Sequence, residues 1–418
     1  MTEITRIAMI GAGGMANNVH YPSLASFADV EIAAICDLDA NRLQTTADKY
    51  QVDKRYTNYR QMVEEVAPDA VYVIGPPHYM YDIWVWCLQQ GLNLCIEKPM
   101  GITLHQARNL AYLAEQKGCI TQVSFQRRTS PMVAQLYAEC LKRGPITHAQ
   151  CVFYKWLPQP YLEARDHMMD DGVHAIDTLR WLCGGADGKG EVVEIQSHCK
   201  RIGTPDINFI SALLHFDNGA TGVMLNSWTS GRRIFKVEMH APGICVEAEH
   251  EGKGILYADG DTKGVVYDTR EVADSDQNFV YGGFQAKNRI HRCCQNRHAT
   301  PFLFLRCLED DGSGGADFGA GVVGILSPVL RFYCTVTEVM QVQHVPVGHL
   351  NLGLDLGKVS SISLVLDAAA LRDYVLRRNA ILDALCSTSH LLCNLWLLSV
   401  SDCRHAVDRN KGDQDAIV

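Results

Sequence analysis

The sequence predicts an α/β protein. It should have an N-terminal doubly wound parallel sheet, then an α+β domain with a large open, mostly antiparallel sheet. Three observations lead there. Short apolar runs alternate with helical periods through the first 124 residues. The first apolar run, Ile7 to Ile10, ends in the glycine-rich turn Gly11-Ala12-Gly13-Gly14-Met15-Ala16. From Glu191 to Asp268 the chain becomes strand-rich, with apolar/polar alternation and the hairpin signal Asp217-Asn218-Gly219. The expected division is 1–124 for the first domain, 125–289 for the second, and an atypical tail over 290–418.

The elements follow in order. After the turn, Val30 to Cys36 is a second strand ending at Asp37. Helices are expected over 41–50 and 58–66, and a strand over 70–74. Gly75-Pro76-Pro77-His78 follows that strand, then a helix over 81–90. The strand 92–96 ends in Glu97-Lys98-Pro99. A helix over 103–116 and a strand over 119–124 complete the α/β alternation. Ligands bind beyond the C-terminal ends of parallel strands. Gly11, Asp37, Pro76, His78, Glu97 and Lys98 all fall there, so they should line one cleft. Gly11 permits the tight turn, Gly13 and Gly14 let a pyrophosphate approach, and Met15 and Ala16 open the helix whose N-terminus faces it. Asp37 is placed to hold adenosine ribose hydroxyls, and no Arg adjoins it to receive a 2′-phosphate, although Arg42 is not far away. NAD is therefore expected ahead of NADP.

The turn, Asp37, the Pro-Pro-His segment and Glu97-Lys98-Pro99, at these spacings, resemble the glucose-fructose oxidoreductase / inositol dehydrogenase / rhizopine-catabolism family. The resemblance implies a Rossmann first domain and a lysine, Lys98, lying between nicotinamide and substrate. Phe125-Gln126-Arg127-Arg128 then looks like that family's crossover into the substrate domain. A helix over 131–143 and a strand over 147–156 come next. In His167-Met168-Met169-Asp170-Asp171-Gly172-Val173-His174, Asp170 and His174 are four apart, and Asp177 is three further on. On an α-helix the three share a face. The segment is similar to the family's Asp-x-Gly-x-His, which implies catalytic roles for Asp170 and His174 beside Lys98. Arg127, Arg128, Tyr154 and Asp177 are candidate substrate-binding residues, each also able to serve packing or an internal ion pair. No metal is expected at this site, because hydride chemistry needs none.

The implied activity is NAD-dependent dehydrogenation of a secondary alcohol of a sugar, cyclitol or related polyol, or the reverse reduction. Two alternatives stay open. A sensor or co-repressor of this fold would bind NAD and lack turnover. An NAD-dependent glycosidase would release an aglycone without accumulating NADH. The resemblance also implies a homodimer or homotetramer formed through the open sheet.

Composition narrows the partners. The chain has 418 residues, 47% hydrophobic, with a net charge of −9. That is enough apolar material for two or three domains. A mildly acidic chain without a basic block is a poor phosphate-backbone binder, so no nucleic acid is expected. The N-terminus lacks a secretory pattern, and the longest apolar stretch, Phe318 to Val336, is broken by Pro328 and Arg331. No membrane span and a cytoplasmic location follow as expectations, with the 16 cysteines read as reduced, mostly buried thiols.

The pattern breaks near Asn288-Arg289. From Ile290 helical periodicity is poor, and seven of the 16 cysteines fall in the last 129 residues. Back-translating from Ile290 and reading one base later, with permitted codons, gives FIDAVKTGTQP and then LSCFFDALKTMEVAEQILA. That string resembles the family's closing segment of helix, turn and amphipathic helix. An out-of-frame reading of 290–418 is therefore expected, with a divergent extra domain as its rival.

Overall fold

The computed structural model describes residues 4–160, 166–185 and 190–295. The first sheet contains six parallel strands: β1 (Thr5–Ile10), β2 (Val30–Cys36), β3 (Arg55–Tyr56), β4 (Ala70–Val73), β5 (Asn93–Ile96) and β6 (Thr121–Val123). Their order is β3-β2-β1-β4-β5-β6, so the order reverses between β1 and β4. Alternation within β1 builds both cores. Ile7 and Met9 pack with Tyr21, Leu24 and Ile35 on one face, and Ala8 and Ile10 with Trp84 and Leu88 on the other. Burial on both faces explains why these strands read as continuous apolar runs.

The connecting helices are α1 (Tyr21–Ala25), α2 (Ala40–Tyr50), α3 (Tyr59–Val66), α4 (Pro77–Gln89) and α5 (Leu104–Lys117). Asp39, Asn58 and Thr103 cap α2, α3 and α5 by accepting backbone N–H groups of their first turns. α4 begins four residues before the expected start. Pro77 sits in its first turn, where a missing N–H costs nothing, and Pro76 is its cap.

The second sheet has eight strands: β7 (His148–Trp156), β8 (Val192–Lys200), β9 (Phe209–Phe216), β10 (Thr221–Ser227), β11 (Thr229–Ala241), β12 (Ile244–Glu249), β13 (Lys253–Ala258) and β14 (Val265–Asp268). The order is β14-β13-β12-β11-β7-β10-β9-β8. The β7–β10 pair is parallel and the rest antiparallel, so the sheet is mixed. α6 (Pro131–Leu141) packs on β11 and β12, and α7 (Val173–Cys183) on β7 and β10. Ala149, Cys151 and Phe153 of β7 face those helices; His148 and Gln150 face the other way and are exposed.

Four short helices end the described chain: α8 (Thr269–Ala273), α9 (Asn278–Tyr281), α10 (Phe284–Lys287) and α11 (Ile290–Gln295). They return to the first sheet. Ile290 is fully buried in its core, and α11 contacts β1 and β4. The tail was expected to depart from the family fold at about 290; its described part, α11, packs on β1 and β4, and the rest of 290–418 lies outside the described residues. Every described residue belongs to one compact unit. Among the described residues ten cysteines are free thiols, eight of them buried, while Cys293 is disulfide-bonded, contrary to expectation. No helix among the described residues is long and apolar enough to cross a membrane.

Candidate functional site

The glycine-rich turn sits where the strand order reverses. Gly11 has φ of +108°, and a Cβ there would stand 2.1 Å from the Ile74 carbonyl oxygen. Only glycine fits. Gly13 and Gly14 differ, since a Cβ on either meets nothing within 4 Å. Their bare backbone opens onto the space ahead of a helix start, which suits a pyrophosphate. The chain continues as a π-helical turn (Ala16–His20) into α1, with Ala16 fully buried and Met15 exposed.

Asp37 ties this turn to β2. One carboxylate oxygen accepts the Ala12 N–H at 2.6 Å and the other the Asp39 N–H at 2.8 Å. A carboxylate has about four acceptor sites, so capacity remains for a ribose. Arg42 pairs with Asp39 at 3.3 Å. These features fit a dinucleotide with an unphosphorylated ribose. Asp37→Ala should raise the KM for NAD by about tenfold to a hundredfold, given about 1.5–3 kcal/mol for hydrogen bonds to a charged group. It should also narrow the NAD-over-NADP preference, because a repulsive charge is lost. Steady-state kinetics with both cofactors checks this; a starting protein that already prefers NADP contradicts the role given to Asp37.

Glu97 turns inward. It is buried, and its carboxylate pairs with Nε2 of buried His20 at 2.7 Å. Burial holds His20 below its ordinary pKa, hence neutral. Burial alone would raise Glu97, but His20, Lys98 and Lys287 outweigh it and keep it ionised. Glu97 was expected in the cofactor cleft; its carboxylate is buried against His20, under the strand end that carries Lys98. Asn288 donates to Nδ1 of His20 at 3.3 Å. Beside it, buried Lys287 donates to Ser124 at 2.9 Å and lies 3.0 Å from the Cys95 sulfur. Pro76 caps α4, and half-buried His78 lies in its first turn.

A cavity of about 720 Å³, counting its open mouth, lies beyond the turn. Met15, Asn18 and Val19 line it from the first sheet, and Lys98, Arg127, Lys155, Asp171, His174 and Arg233 from the strand ends and the second sheet. His174 is buried. Burial first, then the positive charges of Lys98, Arg127 and Lys155, hold its pKa well below the usual histidine value. Its Nδ1 makes no hydrogen bond.

The acid beside it is Asp171, where Asp170 was expected. Met168–Gly172 is a π-helical turn, which widens the spacing and breaks the four-residue register of an α-helix. Half-buried Asp170 offers its backbone carbonyl to the Lys98 ammonium. Asp171 accepts from Lys155 Nζ at 2.6 Å and from Trp228 Nε1 at 3.0 Å. Burial opposes its ionisation, but Lys155 and Lys98 win and keep it a carboxylate.

Arg127 lines the cavity as expected. Its guanidinium lies 4.4 Å from the centre of the Phe235 ring and 5.6 Å from that of Phe153. Burial lowers its pKa to about 10. Arg128 and Asp177 do not line the cavity. They bind each other through two hydrogen bonds, one of 2.7 Å, and Asp177 is buried. Tyr154 is also absent from the lining, because strand alternation sends Phe153 and Lys155 inward and Tyr154 to the other face. Sequence reasoning gave no role to Asp171, Trp228, Arg233, His250 or Glu251. Asp171 stood next to the chosen acid; Trp228 acts through its bond to Asp171, and Arg233, His250 and Glu251 reach the cavity only through long-range strand pairing.

This geometry defines a class: a dinucleotide-binding protein in which the end of β5 supplies a lysine, and the segment opening α7 a histidine and a carboxylate, to one cavity beyond the glycine-rich turn. The family model described as "Oxidoreductase family, NAD-binding Rossmann fold" matches residues 5–125, and the GFO/IDH/MocA C-terminal domain matches 142–241. The chain belongs to the GFO/IDH/MocA oxidoreductase family, and its first domain is an NAD-binding Rossmann domain. It is 27% identical over 189 residues to D-glucoside 3-dehydrogenase of Escherichia coli (strain K12). That match covers 43% of this chain and 54% of the relative, so the chain spans about half that relative's length. It is 24% identical over 288 residues to myo-inositol 2-dehydrogenase of Thermotoga maritima, covering 66% of this chain and 81% of that one. A levoglucosan dehydrogenase solved with NADH and L-sorbose has the same fold, with a TM-score of 0.58 and 15% identity over 69% of this chain and 88% of that one.

Proposed function

We propose that the protein is an NAD-dependent dehydrogenase acting on a secondary alcohol, or the matching ketone, of a sugar, cyclitol or related polyol. The observation that carries this is the convergence of Lys98, His174 and Asp171 on the cavity that Met15, Asn18 and Val19 line from the cofactor side. The names of the curated relatives support the substrate class.

Bound NAD supplies the hydride acceptor for the carbinol carbon. The protein's residues handle the proton and the charge. His174, held neutral, takes the hydroxyl proton as general base. Lys98 places a positive charge where oxygen becomes alkoxide-like. Asp171 fixes Lys155 and is available to a neighbouring hydroxyl. Arg127, lying over the Phe235 and Phe153 rings and 3.7 Å from Glu251, adds positive charge to the cavity wall.

A panel of sugars and polyols, followed by absorbance of reduced nicotinamide, tests the reading. Tight NAD binding with no reduction by any of them would defeat it. The pH profile gives a second test. The base form of His174 is the active one in oxidation, and its pKa is depressed. The plateau in kcat/KM should therefore continue below pH 6.5, the ordinary histidine value, and fall only at lower pH. His174→Asn should cost about 10²–10⁴ in rate and remove that acidic limb. An acidic limb centred at or above 6.5 would count against His174 as the base.

A further inference from the structure

On the sheet face opposite α6 and α7, well away from the cavity, three strands align a row of polar side chains. His240 of β11 pairs directly with Cys245 of β12 on one side and with His148 of β7 on the other. Glu238 precedes His240 by two residues and shares its face. The intervening Val237, Met239 and Val246 are buried on the helix side, so the row points outward. Nε2 of His240 lies 2.9 Å from the Glu238 carboxylate and 3.7 Å from the Cys245 sulfur. One ligand atom from each of Glu238, His240 and Cys245 lies within 4.8 Å of the other two.

We propose that Glu238, His240 and Cys245 form a zinc-type divalent cation site with its fourth position open to water. The donor set mixes thiolate, imidazole and carboxylate, which suits a borderline-soft ion and disfavours magnesium or calcium. Bonds of about 2.0–2.3 Å in a tetrahedron put neighbouring ligand atoms about 3.3–3.8 Å apart. The nitrogen–sulfur distance is already in that range. The shorter Glu238–His240 contact is a hydrogen bond, which the ion replaces as the ring takes its Nδ1–H tautomer, giving the Nε2 lone pair to the metal, and the two atoms move apart. Cys245 releases its thiol proton to solvent as the metal–sulfur bond forms, so binding strengthens with pH. His148 stacks on His240 with ring centres 3.9 Å apart and planes 14° from parallel. Parallel planes keep its lone pairs from the same point, so it backs the His240 ring and leaves the fourth position free. Glu238 and the thiolate balance a doubly charged ion, while Glu247, next along β12, is paired with Lys236. No metal spacing is visible in the sequence, because the sulfur reaches the site across a hairpin.

The test is a cobalt(II) titration of the full-length protein, followed by displacement with zinc. One equivalent should bind with a thiolate-to-cobalt charge-transfer band and tetrahedral d–d absorption. Cys245→Ser should lose the charge-transfer band, and His240→Ala should weaken binding by on the order of a hundredfold. NAD-dependent turnover in Cys245→Ser should be unchanged. X-ray absorption of the zinc-loaded unmutated protein gives a reading independent of variant folding, with one sulfur expected in the shell. A shell with no sulfur or with two or more, an unaltered band in Cys245→Ser, or failure to bind either metal at micromolar concentration would overturn the site.

Discussion

Lys98→Met should lower turnover by about two orders of magnitude or more while leaving affinity for NAD nearly unchanged. The Lys98 ammonium donates to a neutral carbonyl, that of Asp170, so its charge remains available to the substrate oxygen. Lys155 cannot readily take its place, because Asp171 holds it in an ion pair at 2.6 Å. Methionine keeps most of the length and removes only the charge and the donors. Fluorescence titration with NADH and single-turnover reduction with the best polyol separate the two effects. A variant that loses NAD binding in step with turnover would move Lys98 to the cofactor and away from the reacting oxygen.

Re-reading the coding sequence one base later from codon 290 should raise soluble yield, thermal stability and activity together. His291 is the structural pointer. It is fully buried, and its ring is poorly satisfied, with weak contacts to the Asn288 backbone and to Asp29 at 3.5 Å in place of a well-formed hydrogen bond. An unsatisfied buried polar group costs about 1–3 kcal/mol. The shifted reading places isoleucine there, next to phenylalanine in place of the buried Ile290. It also restores an amphipathic period further along. Closing helices that cover a few hundred Å² of apolar surface contribute about 5–10 kcal/mol, comparable with a domain's whole stability. His291→Ile in the chain as written isolates the local part and should stabilise it by about 1–3 kcal/mol. Equal melting temperatures for the two full-length versions, or a single intact frame on sequencing codons 288 to 291, would refute the shifted reading.

Most of the first sheet was readable because β1, β2, β4 and β5 run out into residue types with few reasons to be there, glycine, aspartate, proline and lysine, whereas the two-residue β3 carries no such mark and was not expected. Local pattern and local chemistry agreed over most of its length. The site was readable only where residues are adjacent in sequence. Lys98 and His174 sit in recognisable segments. Asp171 was missed because Met168–Gly172 is π-helical, so the α-helical register that singled out Asp170 does not hold there. Arg128 and Asp177 were plausible ligands by type and prove to satisfy each other, a pairing 49 residues apart that only the fold reveals. The parallel β7–β10 pair likewise leaves no trace in either strand's alternation.

The bond from Asn288 to His20, and from His20 to Glu97, bears on how this fold can be recombined. In chain order the cut between cofactor module and substrate module falls at the crossover at 125. Yet the strand end carrying Lys98 is braced by a histidine that a residue 268 positions downstream holds in place. A chimera joined only at 125 would carry the lysine without its brace. A grafter who wishes to move the cofactor module must therefore transplant two pieces, the first 124 residues and the short stretch around Lys287 and Asn288.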